Sequence, residues 1–431
     1  MKNKVSVFWF RRDLRLEDNR GLYHALSGGH AVLPVFIFDE TILKKLESKK
    51  DRRVDYIHQA LSKMNFQLKG FHSKLSTFYG NPLNVFKELA EKYQIQSIFC
   101  NRDYEPEAME RDQEIYEFFT AQNIPFKEYK DQVIFDKNDV VKNDAQPYTV
   151  YTPYSRKWKE LLKKTDYIGY TSDFTNFFKQ DFEEIFSLEE IGFESTDMVF
   201  EPPKLDFEII SHYDKYRNFP ALQKTTQLGI ALRFGTISIR KCVRFALQHN
   251  DTWLNELIWR EFFMQILYHF PKVVHQSFHA KYDAIEWRND ETEFQLWCAG
   301  KTGYPMVDAG MRQLNQTGYM HNRVRMIVAS FLCKHLLIDW RWGESYFARK
   351  LNDFDLAANN GNWQWAAGCG CDAAPYFRVF NPKLQTEKFD KDLIYIKKWI
   401  TEFGTHAYPQ PIVEHQFARN RALDCYKKGL N

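Results

Sequence analysis

Short apolar runs alternate with helical patterns along the first third of the chain. The apolar runs, which are typical of buried strands, lie at Val5–Phe10, Ala31–Phe38, Lys74–Tyr79, Gln96–Cys100 and about Phe126–Ile134. Helical patterning covers Arg52–Lys69, Pro82–Tyr93 and Glu105–Gln122. Strands that alternate with helices predict a Rossmann-like α/β domain, in which helices cover both faces of a parallel sheet. No GxGxxG motif or Walker loop is present, so a standard dinucleotide or P-loop site is not expected.

This alternation stops near residue 136. Residues 136–205 mix polar and aromatic side chains with Pro147, Pro153, Pro202 and Pro203, which indicates a long, partly helical connector. From about residue 206 the pattern is helical with few strand-like runs. We therefore predict an α/β domain at residues 1–135, a connector at 136–205 and an all-α domain at 206–431.

Composition limits the class of protein. The 431 residues are 44% hydrophobic and carry a formal net charge of +3, which excludes an acidic, disordered chain. This small charge does not by itself indicate nucleic acid, because it can hide a concentrated basic groove. Aromatic residues make up 16% of the chain. An aromatic core explains most of them, and a minority remains available for stacking or electron transfer.

The cysteines and the N-terminus bear on the cellular compartment. Seven scattered cysteines fit a reducing compartment better than a disulfide framework. The pair Cys369-Gly-Cys371 has no second pair at zinc-finger spacing, so we predict no metal site. The first residues lack the pattern of a signal peptide, and no stretch approaches the ~18 apolar residues of a membrane span. We expect a cytoplasmic protein that does not insert into a membrane.

The segment Thr225-Thr226-Gln227-Leu228-Gly229 precedes a predicted helix. Threonine hydroxyls and unpaired backbone N–H groups at a helix start form a natural phosphate site. The alternative is ordinary N-capping of the helix.

Two helical segments carry polar faces. Glu256, Trp259 and Arg260 fall at i, i+3 and i+4, which favours a polar pocket wall with a stacking platform. A surface ion pair shielded by tryptophan is the alternative. Further along, Asn322, Arg325 and Met326 share a face, and Arg323 points elsewhere, free to meet a phosphate. A mixed amphipathic helix is the alternative there.

The segment Asn352–Trp365 combines two carboxylates, several amides and two tryptophans, which packing alone explains poorly. The carboxylates of Asp353 and Asp355 can accept hydrogen bonds from a ribose or a flavin ring. The amide of Asn359 can donate or accept as a neighbouring group changes its redox and protonation state.

In this order, these segments resemble the photolyase/cryptochrome family. The resemblance runs from Phe8–Asn19 to Tyr408–His415, and the family signature WxWAAxxxxDAAPYFRxFNP is present as Trp363–Pro382. Within the family, the chain looks like a microbial class I photolyase for cyclobutane pyrimidine dimers. Two positions of the phosphate segment depart from the family, because Gln227 and Gly229 replace a common Arg and Ser, and Gly229 loses a hydroxyl contact.

The resemblance implies a U-shaped FAD in the helical domain, with Asn359 facing flavin N5. The implied FAD-binding residues are Tyr213, Thr225, Thr226, Gln227, Leu228, Gly229, Trp253, Arg325, Asp353, Phe354, Asp355 and Asn359. The implied dimer pocket consists of Glu256, Trp259, Asn322, Met326 and Trp365. The implied contacts with the DNA backbone are Arg217, Arg260, Arg323, Arg378 and Gln385. The implied partner is UV-damaged DNA, from which the dimer is flipped out.

The implied chemistry is light-driven electron transfer. Photoexcited FADH⁻ donates an electron to the dimer, two C–C bonds break, and the electron returns to the flavin. Asn359, which faces flavin N5, is also an implied catalytic residue, and no metal is required. Trp363, Trp340 and Trp287 match the family's tryptophan chain, which reduces oxidised flavin under light. Core packing is the alternative for these three residues.

Three other members of the family are alternatives. A (6-4) photolyase carries two histidines where this chain has Asn322 and Met326. Plant-type cryptochromes, which are light receptors, usually have Asp where Asn359 stands and lack the tryptophan seen as Trp365. They also often carry a long C-terminal tail. The DASH type has a more polar pocket than one with Trp259 and Trp365.

An antenna chromophore is possible, and its identity is open. In folate-binding relatives an Asn-Glu pair follows a Tyr-Glu-x segment, whereas here Glu107 and Ala108 follow Tyr104–Pro106. A folate is therefore not expected, and another antenna or none remains. The family also implies a monomer without an obligate protein partner.

Overall fold

The computed structural model describes residues 2–430, which divide into two compact units. The sheet unit comprises residues 2–140, Trp158–Leu205 and Gln227–Gln248. The helical unit comprises Val141–Lys157, Asp206–Thr226 and residues 249–430. Each unit therefore combines segments from separate parts of the chain.

Five parallel strands form the sheet. They are β1 (Lys4–Phe10), β2 (Val32–Asp39), β3 (Ser76–Gly80), β4 (Gln94–Asn101) and β5 (Phe126–Tyr129). The strand order is β3-β2-β1-β4-β5. Strands β2 and β3 are added on one side of β1, and β4 and β5 on the other, so the strand order changes direction between β1 and β4. The predicted α/β class is confirmed.

The predicted fifth strand is too long, because β5 ends at Tyr129 rather than near Ile134. Val133 and Ile134 are buried, which explains the apolar pattern. Between them and the strand, Asp131 is buried and pairs with Arg15 and Arg240. The chain leaves the sheet there, because the buried Asp131 carboxylate must pair with these two guanidinium groups.

Alternation along β1 explains why both faces of the sheet are covered. Val5, Val7 and Trp9 belong to one apolar cluster, and Phe8 and Phe10 belong to the other. The first cluster packs against helices near residues 82–92 and 106–120, and the second against helices near 20–26 and 52–69. The sheet is thus a buried middle layer.

The α-helices are α1 (Arg20–Leu26), α2 (Glu40–Leu43), α3 (Arg52–Lys69), α4 (Pro82–Lys92), α5 (Pro106–Thr120), α6 (Tyr151–Leu161), α7 (Lys164–Tyr167), α8 (Phe207–Ser211), α9 (Tyr213–Tyr216), α10 (Gly229–Arg233), α11 (Ile239–His249), α12 (Asp251–His269), α13 (Glu291–Cys298), α14 (Pro305–Thr317), α15 (Asn322–Ser330), α16 (Trp340–Lys350), α17 (Leu356–Ala367), α18 (Pro382–Phe389), α19 (Ile394–Trp399) and α20 (His415–Leu430). Short 3₁₀ helices occupy Phe174–Asn176, Pro220–Leu222, Pro271–Val274 and Ala280–Ala284, and a π-helix occupies Phe331–Leu336. All five strands lie in the sheet unit, so the predicted all-α character of the second part is confirmed. Within residues 2–430, no helix combines the length and apolarity needed to cross a membrane.

Two glycines allow the central helices of the helical unit to approach closely. A Cβ atom on Gly343 of α16 would lie 2.1 Å from the Trp363 ring of α17. A Cβ atom on Gly361 of α17 would lie 2.1 Å from the Phe263 ring of α12. Both rings are part of the packed interior and cannot move freely. These contacts fix α17 against its two neighbours.

We expect Gly361→Ala to lower the free energy of unfolding by about 1–3 kcal/mol, because the added methyl group overpacks the contact with Phe263. Urea unfolding followed by circular dichroism measures this change. Gly29→Ala is the matched control, since a Cβ atom there meets nothing within 4 Å. Equal midpoints for the two variants would show that the α12–α17 contact is loose.

Candidate functional site

A pocket in the helical unit is lined by residues of α15, α16, α17 and the segment before α17. Nine of its lining residues were predicted from the sequence: Asn322, Arg325, Met326, Asp353, Phe354, Asp355, Asn359, Trp363 and Trp365. Five were not: Ala329, Phe347, Leu351, Ala358 and Asn362. Helical spacing could have found two of these, because Ala329 lies four residues after Arg325, and Asn362 three after Asn359. The pocket thus joins residues predicted for the flavin with residues predicted for the dimer.

An ion pair holds one wall of the pocket. Arg325 Nη2 donates to both carboxylate oxygens of Asp353, at 3.1 and 3.0 Å, and its Nε donates to the Met320 carbonyl at 2.7 Å. Asp355 caps the start of α17, where its Oδ1 accepts from the Ala358 N–H at 3.1 Å. The two carboxylates therefore stand at defined positions beside the pocket.

The amide of Asn359 has a fixed orientation. Its Nδ2 donates to Glu344 Oε1 at 2.8 Å and to the Glu344 carbonyl at 3.1 Å. Both amide hydrogens are thereby engaged, which leaves the Oδ1 of this pocket residue as an acceptor. Burial raises the pKa of Glu344, and the hydrogen bond from Asn359 opposes that rise. Glu344 was not predicted, because no sequence pattern relates residues on two different helices.

These residues fit a flavin. Asp353 and Asp355 supply acceptors for N–H or hydroxyl groups, and Asn359 presents a neutral acceptor to the pocket. Phe347 and Trp363 provide apolar, aromatic surface for a ring system. In the part of the chain that the structure describes, no group of three His, Cys, Asp or Glu residues is arranged to hold a metal ion.

The predicted phosphate segment is divided between the two units. Thr225 and Thr226 are partly buried in the helical unit, and the Thr225 hydroxyl lies 3.2 Å from the Tyr319 hydroxyl. Gln227, Leu228 and Gly229 belong to the sheet unit, where Gly229 begins α10 as predicted. Burial raises the pKa of Tyr319, and the hydrogen bond with Thr225 opposes that rise. Tyr319 was not predicted.

A second group of predicted residues surrounds Glu256 on α12. Arg217 donates to the Glu256 carboxylate, and its guanidinium lies 5.4 Å from the centre of the Tyr213 ring. Burial raises the pKa of Glu256, and Arg217 opposes this rise. Trp253 is buried at the start of the same helix, and Arg260 is partly buried. Arg217, which is predicted to contact DNA, compensates the Glu256 carboxylate in this structure.

Trp259 is stacked by a residue that the sequence did not indicate. The Tyr151 ring is parallel to the Trp259 indole, with a 3.6 Å separation of centroids and a 5° angle between planes. Phe262 and Phe263 pack near the same indole at 5.6 and 5.5 Å. Trp259 therefore has a fixed plane.

The remaining residues predicted to contact DNA form a basic region. Burial lowers the pKa of Arg323, and the positive charges of Arg217 and Arg378 lower it further. Arg378 is exposed, and Gln385 is partly exposed on α18. The prediction that Arg323 is free is wrong. Its Nη2 donates to Asn218 at 2.7 Å, and its guanidinium packs 4.5 Å from the Phe389 ring, because this helix face is crowded.

The three predicted electron-transfer tryptophans share one apolar cluster. Trp363 and Trp340 are buried in it, and Trp287 is half-buried against its edge. Trp363 also packs against Trp297, with ring centroids 6.2 Å apart. A tryptophan chain from the pocket toward the surface is compatible with this packing.

The parallel sheet unit, the helical unit and the pocket chemistry together define a flavin-binding protein. Residues 6–169 match the family model described as DNA photolyase, and residues 253–407 match the FAD binding domain of DNA photolyase. The deoxyribodipyrimidine photo-lyase of Vibrio cholerae is 36% identical, over 98% of this chain and 99% of the relative. The chain therefore belongs to the DNA photolyase family.

Solved structures agree with this assignment. A class III photolyase from Agrobacterium tumefaciens has a TM-score of 0.88 at 32% identity, covering 100% of this chain and 98% of that chain. An archaeal photolyase from Sulfolobus tokodaii, described with two FAD molecules that imply a novel light-harvesting cofactor, has a TM-score of 0.81 at 34% identity, covering 99% of this chain and 100% of that chain. The predictions of the family, of the fold class, of a deoxyribodipyrimidine photo-lyase as the type of enzyme and of FAD as the cofactor are confirmed.

Proposed function

We propose that this protein repairs DNA by light-driven splitting of cyclobutane pyrimidine dimers. The observation that carries the proposal is the composition of one pocket. Arg325, Asp353 and Asn359 suit a flavin, while Met326 and Trp365 suit a flipped dimer, and all five line the same pocket. Cofactor and substrate would then meet within contact distance, as direct electron transfer requires.

When bound, reduced FAD supplies the chemistry, because light allows it to lend an electron to the dimer and to recover it afterwards. The chain supplies binding, orientation and electrostatics. Arg325 and Asp353 would hold the isoalloxazine edge, and Asn359 would accept a hydrogen bond at N5. Trp365 would give the dimer an apolar wall, which also excludes water from the pocket.

Glu256 would recognise the thymine edge of the dimer. Its carboxylate is paired with Arg217, so a partly buried charge is compensated before the substrate arrives. When DNA enters, Arg217 could turn from Glu256 to a phosphate group. That exchange would raise the proton affinity of Glu256 further, because the opposing positive charge leaves.

Arg323, Arg378 and Gln385 would contact the DNA backbone. Contacts with phosphates position DNA and carry little sequence information, which suits an enzyme that must act at any dimer. The resemblance leaves the expectation of a monomer without an obligate protein partner, with or without an antenna chromophore, and the cysteine pattern and apolar runs of the sequence leave that of a cytoplasmic enzyme.

Residue chemistry favours this substrate over its alternatives. Asn322 and Met326 stand where a (6-4) photolyase carries histidines, and Asn359 stands where plant-type cryptochromes usually carry Asp. With Trp259 and Trp365 among its residues, the expected dimer pocket is less polar than that of the DASH type.

The decisive experiment mixes the reduced holoprotein with an oligonucleotide that carries one cyclobutane thymine dimer. Chromatography then follows dimer loss in blue light and in darkness, for single-stranded and double-stranded DNA. We expect light-dependent recovery of both thymines. An intact dimer in every light sample would overturn the proposal, and parallel assays of a (6-4) photoproduct would then identify the alternative repair activity.

Glu344 offers a separate prediction, because it orients the Asn359 amide. We expect Glu344→Ala to lower the one-electron midpoint potential of bound FAD by about 20–60 mV. One hydrogen bond to the reduced flavin contributes about 0.5–1.5 kcal/mol, and a one-electron potential changes by about 59 mV for each tenfold change in the equilibrium constant. Spectroelectrochemical titration measures it. Glu291→Ala, in the first turn of α13, is the control, and equal potentials in both variants would contradict the role of Glu344.

A further inference from the structure

Tyr151 lies at the start of α6 and makes three separate contacts within the helical unit. Its ring covers a face of the Trp259 indole at 3.6 Å, in a nearly parallel arrangement. Its hydroxyl donates to the Asn255 carbonyl at 2.9 Å, one turn before Trp259 on α12. Its backbone N–H donates to Asp372 Oδ2 at 3.1 Å.

These contacts connect the two sides of the expected dimer pocket. Asn255 and Trp259 belong to α12, which carries one side. Asp372 follows α17 and lies in the segment between Trp365 and Arg378, which carries the other side. Tyr151 is therefore a bridge between the elements that present the two tryptophans.

Ordinary core packing does not account well for this arrangement. Tyr151 is only half-buried, and it is anchored through its ring, hydroxyl and backbone at once. Burial raises its pKa, and the negative charge of Glu256 raises it further, so the phenol lies within the field of the Glu256 carboxylate. A face-to-face stack also occupies one face of the indole and restricts its rotation, so a base can be received only at the remaining surface.

We propose that Tyr151 is a positioning residue of the substrate pocket, which fixes the plane of Trp259 relative to the side that carries Trp365. The inference rests on the proposed repair of cyclobutane dimers. It assigns to Tyr151 an effect on affinity for the damaged site and not on the electron-transfer step itself, because Tyr151 acts through Trp259.

The variants Tyr151→Leu and Tyr151→Phe separate the effect of ring stacking from that of side-chain volume, because only phenylalanine keeps an aromatic ring. In darkness, we expect Tyr151→Leu to raise the dissociation constant for a dimer-containing oligonucleotide roughly threefold to tenfold, as expected when one aromatic stack is lost. Tyr151→Phe keeps the ring and should recover most of that affinity. The affinity for undamaged DNA and the repair yield per photon at saturating substrate should stay close to those of the unchanged protein.

A double-mutant cycle with Trp259→Ala tests whether Tyr151 acts through the indole. If it does, Tyr151→Leu should add little to the loss already caused by Trp259→Ala. Tyr116→Leu, at an exposed tyrosine of α5, is the matched control and should not change binding. Thermal midpoint and FAD content report whether each variant folds.

The outcomes separate this inference from the proposed function. If the unchanged protein repairs the dimer and Tyr151→Leu binds it normally, the positioning role of Tyr151 is wrong while the repair function stands. Additive losses in the cycle would also overturn the role, because they would place the effect of Tyr151 outside Trp259. If the unchanged protein neither binds nor repairs the dimer, the proposed function fails first.

Discussion

Replacing Trp365 with alanine is expected to weaken binding of a cyclobutane dimer by about 5- to 150-fold. Stacking of one base on an aromatic side chain contributes about 1–3 kcal/mol in alanine substitutions, and this range converts to that ratio of dissociation constants. Trp365 lines the pocket while remaining partly exposed, so its ring is available to a substrate. Filter binding in darkness, with and without a dimer in the oligonucleotide, measures the change.

The effect should be specific to damaged DNA. Arg323 and Arg378 remain in the variant, so affinity for undamaged DNA and its dependence on salt should change little. Trp342→Ala is the control, because Trp342 is a partly buried tryptophan of α16 that packs on Phe294 and does not line the pocket. Equal weakening for damaged and undamaged DNA would mean that Trp365 supports the fold rather than the dimer.

The sequence predicted those parts of the protein that depend on local periodicity. Helix α3 was predicted at Arg52–Lys69 and observed there, because its apolar face is regular and Asp51 caps its first turn. Asn322, Arg325 and Met326 were grouped correctly, since residues three and four apart share a helix face. Strand β5 was overextended because Val133 and Ile134 are buried without being in the sheet.

Residues that act through distant partners could not be found in this way. Glu344 contacts Asn359 from another helix, and Tyr151 reaches Trp259 across 108 positions of sequence, which is the difference between the two residue numbers. Such contacts depend on how elements pack, and no spacing rule encodes them. The resemblance to the family located the pocket, while the structure identified the groups that orient its residues.

Replacing Trp363 with phenylalanine is expected to slow light-driven reduction of oxidised FAD by at least about tenfold, which corresponds to ~1.4 kcal/mol or more of activation free energy. Trp363 lines the pocket and is buried in the same apolar cluster as Trp340, and phenylalanine is much harder to oxidise than tryptophan. The smaller ring still fits beside Gly343, so binding of FAD should persist. Absorption spectra recorded during blue illumination follow the reduction.

Two comparisons decide the route of the electron. Chemically reduced Trp363→Phe should still repair dimers, because repair requires reduced flavin and not the chain that regenerates it. Trp297→Phe changes an equally buried indole that also packs on Trp363, but one outside the predicted route through Trp340 and Trp287. Photoreduction should therefore continue in Trp297→Phe and fall in Trp340→Phe. The reverse order would mean that the electron travels through Trp297, whose ring packs against Trp363 with the centroids 6.2 Å apart.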